Sequence, residues 1–428
     1  MTAQQPSGRS LFTGWARTHA TALVGPDAQG CADLEPLRSA LSKARVIALG
    51  ELIHDARELH LLRNRVVRCL AAHFGVTAVA LESGFADMAP LHEALLLPAP
   101  LVVELTRQRI SYGWGGIPEV QALTESLRTY NARQPIRRRV RLYGIDLTGA
   151  DGSGNFSRAR RSVDEMLRFL AQMDPTGARR LATGFAPFLP RFSEAAFPRV
   201  SVQGRDSLRA LLDSAEALIR SAPRKSSGKS SLARTWALGC VAAAKHMLAY
   251  LSFQATLGNR PATSPDFWRL VQMRDSLMAE NVLWVLRHQP RDEPLVILAG
   301  NAHVFADTGL FTVGPTLARI PTVLGQRLRA ALGDGYVVIG TEARALGYYL
   351  EEQDAINVGS LGSALGELGR SWLLIDLDAA AHEPNLRAWL HQPQVVRFQW
   401  GYQRIRPAVA ADILIYADSL SPTGGEMQ

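Results

Sequence analysis

The chain has 428 residues, 47% of them hydrophobic and 20% charged, a globular composition that excludes a mainly disordered protein. Its net charge is +8, but the one basic cluster, Arg137, Arg138, Arg139 and Arg141, has no interleaved aromatics and reads as a solvated approach to a strand, which argues against nucleic acid as a partner. No apolar run reaches the ~18 residues of a membrane span, so no membrane partner is expected.

Residues 1–15 lack a charged start followed by a long apolar stretch, so no signal peptide is expected. Arg45–Gly50 (RVIALG) is a short apolar run ending in glycine, the pattern of a buried strand. From Ala56 to His73 the apolar positions Leu59, Leu62, Val66, Cys69 and Leu70 keep helical spacing, and Gly75 ends the helix. Val76–Leu81 is a second strand. Helices follow around Met88–Leu96 and Pro118–Asn131, then Val140–Ile145 forms a third strand. Residues 156–286 carry helical patterns and almost no strand signal. Within them the polar stretch Ser221–Ser231 reads as a loop between two helices. Strands resume at Leu295–Ala299 and Tyr336–Gly340, with later candidates at Trp372–Ile375 and Ile413–Tyr416.

This order implies an α/β fold, with a mostly parallel or mixed central sheet flanked by helices and a large helical insertion. The expected division is 1–155 and 291–428 for the two parts of the α/β core and 156–290 for the helical subdomain. The three cysteines, Cys31, Cys69 and Cys240, form no C-x-x-C and suggest no disulfide framework. Cys69 reads as a core thiol, and a reducing cytoplasm suits this usage.

Ligands of open α/β sheets bind beyond the carboxyl ends of the strands. Four of the strands end in an acid or a histidine. Glu51 and His54 follow the first, Glu82 the second, Asp146 the third, and Asn301 with His303 the fourth. Each is weak alone, because a lone histidine after a strand is more often structural and a carboxylate at a helix start often only complements the dipole. Glu119 fits that second description. Together they form a candidate acid/base constellation, with structural ion pairing as the competing explanation.

Other chemistries lack their signatures. There is no G-x-S-x-G elbow and no H-E-x-x-H. The GKS at Gly228–Ser230 has Pro223 where a P-loop needs glycine, and Asp151–Asn155 (DGSGN) reads as a turn.

The segment GELIHDARE, Gly50–Glu58, resembles the G-E-x-x-H-G motif of the erythromycin esterase family. Arg63 falls where the family carries an arginine on the following helix. AVALESG around Glu82, WGGIPEVQALTESLRTYN from Trp114 to Asn131, and YGIDLTG from Tyr143 to Gly149 resemble further family segments in order. So do Arg274, Asp275, Met278 and Asn281 (R-D-x-x-M-x-x-N), ILAGNAHV around His303 (H-N-x-H), and Leu324–Gly340.

The resemblance implies hydrolysis of a macrolide-like or simpler ester with no metal and no cofactor. In that scheme His54 is the general base on water. Glu51 orients it, Glu82 helps to position water or the imidazole, and His303 and Arg63 bind substrate or stabilise negative charge. Asp55, Asp146 and Asn301 are further candidates for substrate binding. Two positions depart from the family, Asp55 for its glycine and Gly300 for its first turn histidine. Asp55 is a second carboxylate or a helix cap. The G-x-x-H turn is closer to the wider superfamily with haem-binding, ChaN-like relatives. Alternatives are therefore a natural-product tailoring enzyme performing acyl transfer or cyclisation, and a haem- or metal-binding protein.

Overall fold

The structure, a computed structural model, describes residues 7–97, 102–222, 228–257, 264–290, 293–307, 310–313, 316–319, 322–347, 359–399 and 401–424. Its strands are β1 (Thr21–Ala22), β2 (Val46–Glu51), β3 (Ala78–Gly84), β4 (Arg141–Asp146), β5 (Leu295–Gly300), β6 (Leu310–Val313), β7 (Thr316–Arg319), β8 (Tyr336–Leu346), β9 (Trp372–Asp376), β10 (Gln394–Phe398), β11 (Gly401–Ile405) and β12 (Ile413–Leu420). All seven strands expected from apolar runs are present, β8 and β12 each extending well past the expected end. The fold is mixed α/β, a central sheet flanked by helices. Contacts divide the chain into two units, Met1–Val79 with Arg291–Gly424, and Ala80–Pro290 with Gly425–Gln428.

In the first unit the strands run in the order β1-β9-β12-β8-β2-β5. Strand β2 is parallel to β5 and β8, and β8 to β12, whereas β9 runs antiparallel to both β12 and β1. Every residue of β2 and β5 is buried, as continuous apolar runs covered on both faces should be. The register sets Glu51 opposite Gly300, so the chemistry-bearing ends of β2 and β5 lie side by side. A smaller antiparallel sheet, β10-β11-β6-β7, was not anticipated, because its strands are only four or five residues long.

One expectation is corrected here. Cys69 is buried, but it is half of a disulfide with Cys31, not a core thiol. The bridge ties the segment before Leu34 to the Arg57–His73 helix. Buried Arg65 reinforces the tie, donating to the carbonyls of Gly25 and Gly30 and pairing with Asp33. Pattern reading missed this because pairing depends on which residues the chain returns to each other. The bridge removes the argument for a reducing compartment.

The second unit contains the neighbouring strands β3 and β4 and eight α-helices among the described residues. Five of these fill 161–288, where no strand occurs among the described residues. The Gly228–Gln254 helix contributes Trp236, Cys240, Ala244, Met247 and Leu251 to the core. Of the polar stretch Ser221–Ser231, residues 223–227 lie outside the described residues, and helix resumes at Gly228. Asp151–Asn155 is the expected turn, with the Asp151 carboxylate accepting the amides of Ser153 and Asn155. No helix among the described residues is long and apolar enough to cross a membrane.

Candidate active site

In the first unit the chain leaves β2 at Gly50 and Glu51. Gly50 is required sterically, since a Cβ there would sit 2.2 Å from Asn301 Oδ1 and 2.8 Å from Val304 Cγ2. The turn that follows is anchored from below. Leu52, Ile53 and Ala56 enter an apolar cluster with Leu59, Ala343, Leu346, Ala417 and Leu420. The Leu52 amide donates to Thr341 Oγ1 (2.9 Å), which itself donates to the Gly50 carbonyl (3.0 Å). Burying Leu52 and Ile53 leaves His54 turned outward, its side chain 21% exposed.

His54 Nδ1 lies 2.8 Å from Glu51 Oε1. A carboxylate only accepts, so the ring proton sits on Nδ1 and Nε2 is the basic nitrogen. His60, one turn into the following helix, donates from Nε2 to the His54 carbonyl (2.8 Å) and fixes the peptide that carries the imidazole. Burial, reinforced by the Arg63 charge, pushes the His60 imidazole down to about 4, so it holds this bond as a neutral ring. The N-cap position of the helix is Ala56, the residue after Asp55. The half-buried Asp55 accepts the Thr423 amide at its carbonyl.

Glu51 is almost wholly buried, with Arg63 Nη1 at 3.5 Å from its second oxygen. Burial pushes its carboxyl up, but the His54 hydrogen bond and the charges of Arg63, His54 and His60 outweigh that and hold it below the usual range. Arg63 is lowered by its own burial, which Glu51 only partly offsets. The asymmetry has a simple cause. Glu51 has two partners, whereas Arg63 Nε and Nη2 are buried with none.

His303 is buried on the short helix Asn301–Val304 that follows β5. Asn301 clamps β5 to β8, donating to the Thr341 carbonyl (2.7 Å) and accepting the Thr341 amide (3.3 Å). Gly325 lets this turn pack closely, since a Cβ there would lie 2.1 Å from the Val304 carbonyl oxygen.

In the second unit Glu82 near the end of β3 and Asp146 at the end of β4 meet on Arg274. The guanidinium donates from Nε to Asp146 Oδ1 (2.9 Å) and from Nη2 to Asp146 Oδ2 (2.6 Å) and Glu82 Oε1 (2.9 Å). Tyr112 donates its hydroxyl to Asp146 Oδ2 (2.5 Å) and accepts from Arg274 Nη2 (2.9 Å). Burial works against the Arg274 charge, but Asp146, Tyr112 and Glu82 more than compensate and hold it well above its ordinary value. Burial and the neighbouring carboxylates keep the Tyr112 phenol protonated. Tyr112 adopts φ +62°, a left-handed conformation costly for a bulky residue, and the surrounding bonds must sustain it.

The R-D-x-x-M-x-x-N spacing now has a physical meaning. Residues at i, i+4 and i+7 share one helix face. Arg274 reaches Asp146, Met278 fills the core, and Asn281 donates to the Ile145 carbonyl (2.9 Å), so the Pro265–His288 helix is registered on β4. Glu119 sits buried in the first turn of the Pro118–Ala132 helix.

Glu51, His54 and Arg63 are thus brought together in the first unit, and Glu82 and Asp146 in the second. Sequence reasoning missed His60 and Tyr112 as site residues and noted Arg274 only as part of a motif. His60 and Arg63 are three residues apart on one helix, a usable signal. Tyr112, in a glycine-rich 3₁₀ turn, offered none.

Comparison with known proteins agrees with this architecture. The sequence model of the Erythromycin esterase family matches residues 71–419, a span that includes Glu82, Asp146, Arg274 and His303 and begins after His54. Erythromycin esterase type II of Escherichia coli is 23% identical over 349 residues, covering 72% of this chain and 71% of that protein. A Bacillus cereus protein of known crystal structure superposes with TM-score 0.79 at 20% identity, covering 98% of this chain and 100% of the other. A succinoglycan biosynthesis protein gives 0.76 at 16% identity over 98% and 99% of the two chains. A mutant of the erythromycin esterase EreC in its open conformation gives 0.63 at 16% identity over 93% and 96%. With the family model covering most of its length, the chain belongs to the erythromycin esterase family.

Proposed function

We propose that the protein is a carboxylic ester hydrolase that attacks an ester or macrolactone with water, His54 serving as general base without a metal or other cofactor. The observation that carries this reading is the Glu51–His54 pair. A buried carboxylate at 2.8 Å fixes the tautomer and the orientation of a partly exposed imidazole. His54 Nε2 takes a proton from water as the oxygen adds to the ester carbonyl. The tetrahedral intermediate then collapses, and the proton passes to the departing alkoxide, giving one acid and one alcohol.

Arg63 keeps Glu51 ionised, and its buried Nε and Nη2 are the donors proposed for developing negative charge. His303 is the second imidazole proposed for that task. In the second unit Glu82 and Asp146 hold Arg274 in a separate charged network. The macrolide class rests on what the E. coli relative is called, and antibiotic resistance would be its consequence. The Cys31–Cys69 bridge favours an oxidising compartment over the cytoplasm expected from cysteine usage. Gly300, in place of the family's first turn histidine, favours a second reading, a biosynthetic acyl transfer or cyclisation.

The test is incubation of the protein with macrolides and simple esters, with and without chelator, followed by mass spectrometry. A gain of one water, insensitive to chelator and lost in His54→Asn, supports the proposal. Hydrolysis retained in that variant refutes the base assignment. A product isomeric with its substrate moves the reading to cyclisation.

A further inference from the structure

Strand β2 leaves the sheet unevenly. Its backbone pairing with β8 runs from Val46 opposite Tyr336 to Leu49 opposite Ile339 and stops there. On the other side β2 stays paired with β5 as far as Glu51 opposite Gly300. Continuing the two registers sets Glu51, Gly300 and Thr341 at one level. Glu51 thus lies beyond the last backbone pair that joins β2 to β8.

The Thr341 side chain takes over where that ladder ends. Its hydroxyl accepts the Leu52 amide (2.9 Å) and donates to the Gly50 carbonyl (3.0 Å), the residues on either side of Glu51. One oxygen therefore grips both flanks of the residue whose carboxylate lies 2.8 Å from His54 Nδ1. A hydroxyl has a single proton to give, and the Gly50 carbonyl takes it. Thr341 is also only 3% exposed, so it acts through its neighbours and not on a substrate.

Thr341 is itself pinned. The Asn301 side chain donates to its carbonyl (2.7 Å) and accepts its amide (3.3 Å). The same Asn301 oxygen lies over Gly50, 2.2 Å from where a Cβ would stand. Asn301 opens the short helix that carries His303. The turn bearing Glu51 and His54 and the turn bearing His303 therefore meet on one buried residue, its hydroxyl holding the first and its backbone the second.

We infer that Thr341 is a positioning residue for the proposed hydrolysis, its hydroxyl fixing the peptide of Glu51 and so the carboxylate that orients His54. This rests on the general-base reading of His54. Valine fills nearly the same space as threonine but offers neither donor nor acceptor. Without the hydroxyl the Leu52 amide and the Gly50 carbonyl lose this partner, and the turn between them relaxes. A misplacement of ~1 Å can cost about a hundredfold in rate.

The test compares Thr341→Val and Thr341→Ser with wild type in two assays. One is steady-state hydrolysis of erythromycin. The other is the imidazole nitrogen spectrum by nuclear magnetic resonance, with the His54 signals assigned by their absence from His54→Asn. Wild-type His54 is the Nδ1–H tautomer. In Thr341→Val the Nε2–H tautomer appears and kcat falls about 10- to 100-fold, while KM changes by less than about twofold. Thr341→Ser keeps the hydroxyl and restores both readouts. Thr341→Ala replaces Thr341→Val where that variant fails to fold, with the same losses expected.

The tautomer is read without a substrate, which separates this inference from the reading beneath it. An unchanged tautomer or an unchanged kcat in Thr341→Val, beside an inactive His54→Asn, overturns the positioning role alone. Equal losses in Thr341→Val and Thr341→Ser overturn it as well, because the hydroxyl is then not the cause. Hydrolysis retained in His54→Asn overturns the general-base reading, and the role in turnover with it, even where the tautomer has shifted. Where wild type leaves erythromycin intact, the tautomer decides, and an unchanged one overturns the inference.

Discussion

Replacing Glu51 by glutamine tests the electrostatic logic of the His54 site without changing its size. The wild-type carboxylate accepts from His54 Nδ1 and lies 3.5 Å from Arg63 Nη1, with the Glu51 and Arg63 side chains each only 8% exposed. The variant leaves the Arg63 cation buried opposite a neutral amide. Removing one partner of a buried pair costs about 3–5 kcal/mol. The 3.5 Å separation is longer than a good charged hydrogen bond, so the lower end, about 3 kcal/mol, is expected. The pH dependence follows from the depressed Glu51 pKa. Stability from the ionised carboxylate is fully present above the unfolded value of ~4.3 and is lost as pH falls through the lower folded value. The gap between wild type and variant should therefore be full at neutral pH and close in acid. Urea denaturation followed by circular dichroism from pH 7 down to about 3.5 measures it. A variant as stable as wild type at pH 7, or a gap that persists unchanged in acid, would refute the reasoning.

Arg274→Lys should destabilise the protein by about 2–4 kcal/mol in urea denaturation, because an ammonium cannot bridge Asp146, Glu82 and Tyr112 as the planar fork does. A change near zero would show that the network is held without Arg274. Asn281→Leu strips the buried Ile145 carbonyl of its donor and should cost about 1–3 kcal/mol, read in the same assay. The Cys31→Ser, Cys69→Ser double variant loses a cross-link spanning 38 residues, and a loss of about 2–4 kcal/mol by denaturation is expected, reproduced in wild type by reductant. His60 and His92, both held near 4, are neutral when folded but take up protons when unfolded between pH ~6.5 and 4, so each should make stability decrease as pH is lowered across that window. Glu342, raised by burial to about 7, acts in the opposite sense, since it is protonated in the fold while the unfolded carboxyl has already ionised. Glu342→Gln should therefore steepen the acid loss seen in denaturation curves, and an unchanged slope would contradict its burial as a protonated acid.

The strand order in sequence, the helical stretch from 156 to 286 and the acids and histidines at strand ends were legible from the residues alone. Burial on both faces forces continuous apolar runs, and a run must end where the chain turns toward solvent or a site. The same reading could pair Glu51 with His54, because three residues and one turn separate them. It could not pair Cys31 with Cys69, or bring Arg274 to Glu82 and Asp146, because those partners are 38 to 192 residues apart and meet only when the chain has packed. Nor could it show His60 gripping the His54 carbonyl, or His92 buried with an unused nitrogen beside Trp236. Periodicity reports which face of an element is apolar. Which polar atom within that face has a partner depends on side chains from elsewhere in the chain, and packing alone decides it.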